Sequence, residues 1–197
     1  MILPAFRRNP HSRSIHALYG MIVAQARSPA FYADYGLPDS VQGRFDLIVL
    51  HLVLVLARLG RDHKPRPGPG RHSGPSRARS LGQTLGQELF DAFCRDLDAN
   101  LREMGVGDLA VPREMRRFGE ASYGRQAAYG EALAAADARE LEKALARNIF
   151  EAAGIDDTAT RLARYARAAA KVFDSVEEDA LVAGQLVFPN PEAFVHA

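Results

Sequence analysis

The chain has 197 residues, 47% of them apolar, which is enough for one domain with a substantial core and argues against global disorder. Its single cysteine, Cys94, excludes an internal disulfide and cannot make a cysteine zinc site alone, so a reducing compartment is the simpler reading. Net charge is only +1, yet residues 1–79 carry 12 Lys/Arg against 4 Asp/Glu, and residues 80–197 carry 13 against 20.

That basic first part suits an acidic partner or the anionic face of a membrane. The alternative is that opposite charges interleave on folding and leave no patch. Arginine far outnumbers lysine, which with abundant alanine points to a GC-rich bacterial coding sequence.

In chain order, the opening MILPAFRRNPHSR is too short, and too early broken by Pro4 and Arg7-Arg8, for a secretory signal. Residues 1–12 read as a flexible segment whose Ile2, Leu3 and Phe6 suit a membrane surface, packing on the body or disorder. Ser12 or Ser14 then caps a helix to Arg27, with Ile15, Leu18, Tyr19, Ile22, Val23 and Ala26 on one stripe. Ser28-Pro29 opens a short second helix to about Asp34, closed by Gly36 and Pro38. Asp39 or Ser40 starts a long apolar helix to about Arg58. Its Val and Ile content makes strand the rival over 45–56, but length and leucine content favour a helix buried on most sides. The stretch Leu47–Leu56 falls well short of the roughly 20 apolar residues of a membrane span.

Residues 61–79 hold four prolines, three glycines, six Lys/Arg and two histidines. They read as a disordered basic loop, either a flexible arm or an insertion without function. From about Ser80 to Met104, Leu81, Leu85, Leu89, Phe93, Leu97 and Leu101 recur every four residues, the mark of an amphipathic helix. Gly105 stands where a left-handed helix end is wanted. After a short connector, Pro112 is placed at the first position of a helix to about Ala135. Gly119, Gly124 and Gly130 weaken that helix, and suit close helix approach or a bend near 130. Asp137 caps a helix to Phe150, and Asp156-Asp157 cap another to Phe173. The last 24 residues hold five acidic residues and no Lys/Arg. They read as an acidic tail: a short helical piece, then an extended segment able to dock on the body. The expectation is therefore one all-α domain of about seven helices over 13–173, interrupted by the 61–79 loop and followed by the tail at 174–197.

Three separated blocks carry a family resemblance. The first is His16-Ala17-Leu18-Tyr19 with Ile22 to Arg27, Phe31-Tyr32 and Tyr35-Gly36. The second runs from Asp39 to Leu56, including Gly43-Arg44-Phe45-Asp46 and His51-Leu52. The third is Cys94 to Asp98, Asn100 to Asp108, and Val111-Pro112 to Met115-Arg116. In this order they resemble the ubiquinol–cytochrome c chaperones, over roughly residues 12–170 apart from the loop. The resemblance implies an all-helical, non-catalytic assembly factor for the membrane-bound ubiquinol–cytochrome c reductase, without a cofactor. Mitochondrial members act on newly made cytochrome b. The implied partners are cytochrome b or another reductase subunit, with a second assembly factor as a further candidate. With the composition and the single cysteine, the expected place is the cytoplasm of a bacterium, with the cytoplasmic face of the inner membrane as the narrower alternative.

The residues themselves offer little catalytic chemistry. None of the six histidines forms a His-x3-His pair or a Cys/His cluster with ligand spacing. His51, five residues after Asp46, reads as a core histidine rather than a ligand or base. No Gly-x-Ser-x-Gly elbow or phosphate-binding loop occurs. No catalytic and no metal-binding residue is therefore assigned. Specific nucleic-acid binding is disfavoured, since neither a recognition helix nor an aromatic base platform is apparent.

What remains is the corner at 104–118. Arg113, Arg116 and Arg117 crowd a helix start, where cations are unfavourable on dipole grounds. Their clustering reflects either a partner or internal pairing with Asp96, Asp98, Glu103, Asp108 or Glu120. Leu109, Ala110 and Val111 are either a plug into the core or an exposed apolar contact. The partner-binding assignment is Asp108, Leu109, Val111, Arg113, Arg116 and Arg117. Arg7, Arg8, Arg61, Lys64 and Arg66 are assigned to membrane or acidic-partner contact. The rival reading is a general helical scaffold or membrane-surface adaptor with another partner.

Overall fold

A computed structural model describes residues 11–61, 80–151 and 154–195, with Arg61 described only as the end of its helix. The basic loop and the residues Arg7, Arg8, Lys64 and Arg66 lie outside the described residues, as does the side chain of Arg61.

The described residues form α1 (Ser12–Ala26), α2 (Pro29–Ala33), α3 (Val41–Arg61), α4 (Leu81–Glu103), α5 (Val111–Ala134), α6 (Arg139–Asn148), α7 (Asp157–Asp174) and α8 (Glu178–Val182). A 3-10 turn, Pro191–Phe194, follows, and no strand is present among them. The all-α expectation holds.

Local chemistry sets most boundaries. Ser80 forms a capping box with Gln83 at the head of α4. Asp156 accepts the Ala159 N–H at the head of α7, and Ser40 Oγ accepts the Gly43 N–H at the head of α3. Pro112 falls at the second position of α5, one later than expected, because Val111 already turns with the helix.

The central element is α3, packed against α1, α4, α5 and α7. Leu47, Val49, Leu50 and every residue from His51 to Val55 are buried. A two-sided strand could not bury this continuous run against helices on every side, so packing overrides the strand propensity of its Val and Ile. Leu85, Leu89, Phe93 and Leu101 of α4 enter the same core, while Leu81 at the end of the stripe stays exposed.

Two glycines let backbones touch. A Cβ at Gly43 would lie 2.1 Å from the Pro38 carbonyl oxygen, and one at Gly82 would lie 2.3 Å from that of Leu59. The second contact seats the start of α4 against the end of α3. Gly119, Gly124 and Gly130 serve no close helix approach: nothing stands within 4 Å of a Cβ at any of them, and α5 is helical through Ala134.

His51 is a satisfied core histidine. Its Nδ1–H donates to the Leu47 carbonyl at 2.7 Å, and its Nε2 accepts from the Tyr165 hydroxyl at 2.8 Å. A carbonyl can only accept, which fixes this tautomer. Burial pushes the imidazole pKa down to about 4. Gln25 of α1 donates to the same tyrosine oxygen and to the Pro189 carbonyl. The tail is thereby drawn onto the body. The Tyr35 hydroxyl donates to the Pro191 carbonyl, and Phe188 packs edge-on against His51 and Phe173.

Candidate interaction surface

The corner between α4 and α5 is built by backbone bonds. Gly105 takes φ +82°, its N–H donates to the Arg102 carbonyl and that of Val106 donates to the Leu101 carbonyl. This 6→1 and 5→2 pair is the Schellman arrangement, which uses carbonyls that would otherwise lack partners. The Gly107 carbonyl then accepts from Ala110 and Val111 and turns the chain into α5.

The corner presents its side chains unequally. Val111 is only 1% exposed and is the plug, so it contributes no contact surface of its own. Leu109, two residues earlier, is 99% exposed, and Met104 is 50% exposed. Arg113, Arg116 and Arg117 all face solvent. Two of them pair within their own turn rather than with the acids expected from the sequence: Glu114 meets Arg113 at 3.3 Å and Arg117 at 3.4 Å. Its carboxylate also suits a helix start and offsets the unfavourable cations. Asp98 and Asp108 both go to Arg102, which ties the end of α4 to the connector. That guanidinium holds the Asp98 carboxyl below its ordinary pKa.

Beside the corner lies a groove of about 180 Å³ shared by four helices. Phe45 and Ile48 of α3, Phe93 and Leu97 of α4, and Phe118 of α5 line it. The rings of Phe45 and Phe118 meet at 4.6 Å, and those of Phe45 and Phe93 at 6.1 Å. Val41, 57% exposed, and Met104 stand among the lining residues. Arg27 and Arg44 are the cations in the lining. The carboxylate there, Asp96, accepts the Tyr19 hydroxyl at 2.8 Å. Burial, and then this bond, push the tyrosine pKa up.

A second, larger cleft of about 750 Å³ runs between α1 and α4 and gathers His16, Glu88, Asp91, Arg95 and Asp96. It is an open trough. His16 and Asp91 are exposed, and Asp96 is committed to Tyr19. Acid–base catalysis gains from a site that keeps water out, and this trough does not. Cys94, on the same helix, is half-buried, and burial raises its thiol pKa, the opposite of an activated nucleophile. Among the described residues, no group of three or more His, Cys, Asp or Glu could hold a metal ion.

The sequence model of the family described as "Ubiquinol-cytochrome C chaperone" matches residues 33–188, which takes in α3, both arms of the corner and most of the tail. The chain belongs to the ubiquinol–cytochrome c chaperone family. A solved structure described as the Cbp3 homolog from Brucella abortus is 34% identical, with a TM-score of 0.77 over 98% of each chain. No curated protein matches the chain. The family's name supports a chaperone role in the assembly of ubiquinol–cytochrome c reductase. No helix among the described residues is long and apolar enough to cross a membrane.

Sequence reasoning missed the groove. Its lining comes from residues 19 to 118 on four helices. The one signal lay in Gly43-Arg44-Phe45-Asp46, where a cation adjoins an aromatic at a helix start.

Proposed function

We propose that this protein holds newly made cytochrome b, or another apolar subunit of ubiquinol–cytochrome c reductase, until partner subunits or haem arrive. Family membership supports the assembly role. The observation that carries the reading is the corner itself. It displays Leu109 and Met104 to solvent beside the guanidinium groups of Arg113, Arg116 and Arg117. A fully exposed leucine on a rigid corner gains nothing for the fold, and exposed apolar surface with a charged rim suits a protein contact. The methionine adds an adaptable contact for a client that must later be released. A second assembly factor and peripheral contact with anionic lipid are compatible additions to this role.

The test is crosslinked capture of tagged protein from cells synthesising the reductase. Wild type is expected to recover cytochrome b selectively. Leu109→Asp combined with Arg113→Ala, Arg116→Ala and Arg117→Ala is expected to reduce that recovery at least tenfold, with the melting temperature kept. Equal recovery by the variant would remove the corner from the site. Recovery of other partners alone would favour a general adaptor.

A further inference from the structure

The groove beside the corner has a size and a charge pattern that together specify an occupant. Sites for small molecules commonly enclose about 300–1,000 Å³, whereas this groove encloses about 180 Å³. It is closer to a socket for one large apolar side chain than to a ligand pocket. Its floor is already formed by Phe45, with Phe93 and Phe118 each packed against it. Arg27 and Arg44 give the lining a positive character on the side of α1 and α3. Arg44 is held by Asp39 at 2.7 Å in a pair that is well exposed on both sides, and solvent screening makes such a pair readily exchanged. Asp96 keeps its negative charge while accepting the Tyr19 hydroxyl, so with Arg27 and Arg44 the lining carries a net charge of +1. Met104 belongs to both the groove and the corner, so the two surfaces are continuous.

We propose that this groove receives a helical segment of the client, with one large apolar side chain in the phenylalanine-floored socket and a carboxylate about one helical turn away on Arg27 and Arg44. The proposal rests on the client-holding function and adds the chemistry of the bound segment. A helix presents residues three or four apart on one face, so an anchor and an acidic neighbour can face one groove together. A phospholipid is the poorer fit, since the socket is far smaller than the usual small-molecule site.

Two helical peptides with the same apolar anchors, one carrying Glu and one Lys a turn from the central anchor, make the test. Binding is read by fluorescence polarisation at moderate salt. The Glu peptide is expected to bind at least tenfold tighter to wild type. Arg27→Glu with Arg44→Glu is expected to reverse the preference, and Val41→Asp to weaken both peptides. All three positions are exposed, and helix content and melting temperature check that the variants fold. Equal binding of the two peptides, binding of neither, or a preference untouched by charge reversal would overturn the proposal. Two further results would also overturn it: binding to phosphatidylglycerol vesicles in place of peptide, or self-association abolished by the charge reversal. If the variants capture cytochrome b normally while peptide binding fails, the inference falls and the chaperone reading stands. If the peptides behave as expected and cytochrome b is never recovered, the reverse holds.

Discussion

Asp46 and His51 lie five residues apart on α3 and titrate with opposite consequences for stability. Arg125 of α5 pairs with Asp46 at 2.8 Å and Gln42 donates to it, yet burial still pushes the carboxyl pKa up to about 6. A carboxyl raised in the folded state favours folding when protonated. Its contribution is full below the unfolded pKa near 4 and is lost as pH rises through about 6. His51 is lowered to about 4, so its contribution is full above the unfolded value near 6.5 and is lost as pH falls. The two slopes, each roughly 1.4 kcal/mol per pH unit, should nearly cancel between about pH 4 and 6. Asp46→Asn should unmask a loss of stability on acidification through this window. His51→Gln, which keeps one donor and one acceptor, should unmask a gain. Urea denaturation at several pH values measures both, and parallel curves for the two variants would disprove the assignment. Glycines give a second contrast at this scale. Gly82→Ala forces a Cβ against the Leu59 carbonyl, and overpacking of this kind costs about 1–3 kcal/mol. Gly119→Ala, in open space within α5, should stabilise by roughly 0.5–1 kcal/mol.

Among the elements, the corner joins a structural and a recognition task in one short segment. Gly105→Ala places a Cβ at φ +82°, where an L side chain is disfavoured by about 1 kcal/mol. Thermal unfolding should register that change. Client capture should fall with it if the approach of α5 to α4 sets the position of Leu109. Ser80→Ala removes the capping box of α4 and should cost about 1 kcal/mol, but it lies at the far end of that helix. Its capture should match wild type. The pair of variants therefore separates loss of stability from loss of geometry. Equal loss of capture in both would mean that stability alone was being read.

For the molecule as a whole, the tail is part of the core. Leu181 and Leu186 are buried, Phe188 packs on His51 and Phe173, and Phe194 packs edge-on against Tyr165. Removing residues after Gln185 would strip Leu186 and these rings from the body. At about 1.5–3 kcal/mol for each fully buried large side chain, the loss should exceed about 3 kcal/mol. For a chain of this length that corresponds to a fall of at least about 6 °C in Tm. Calorimetry of the truncated chain checks this, and an unchanged Tm would show the tail to be an appendage. The acidic composition that marked these residues out describes their exposed side, with Glu177, Glu178, Asp179 and Glu192 facing solvent.

The sequence by itself determined the all-α class and most helix ends, because those depend on contacts within a few residues. Ser80 with Gln83, Ser28-Pro29 and Gly105 are local signals, and each specifies one conformation of its own backbone. It also determined that α3 is central, since a helix apolar on nearly every side must be surrounded. Tertiary structure alone decided which of two near neighbours faces in, as with Val111 and Leu109. The pairing of Asp46 with Arg125, 79 residues away, depended on it equally. So did the groove, whose lining converges from α1, α3, α4 and α5. Helical periodicity states which residues share a face, but not which other helix meets that face or where the meeting leaves a gap.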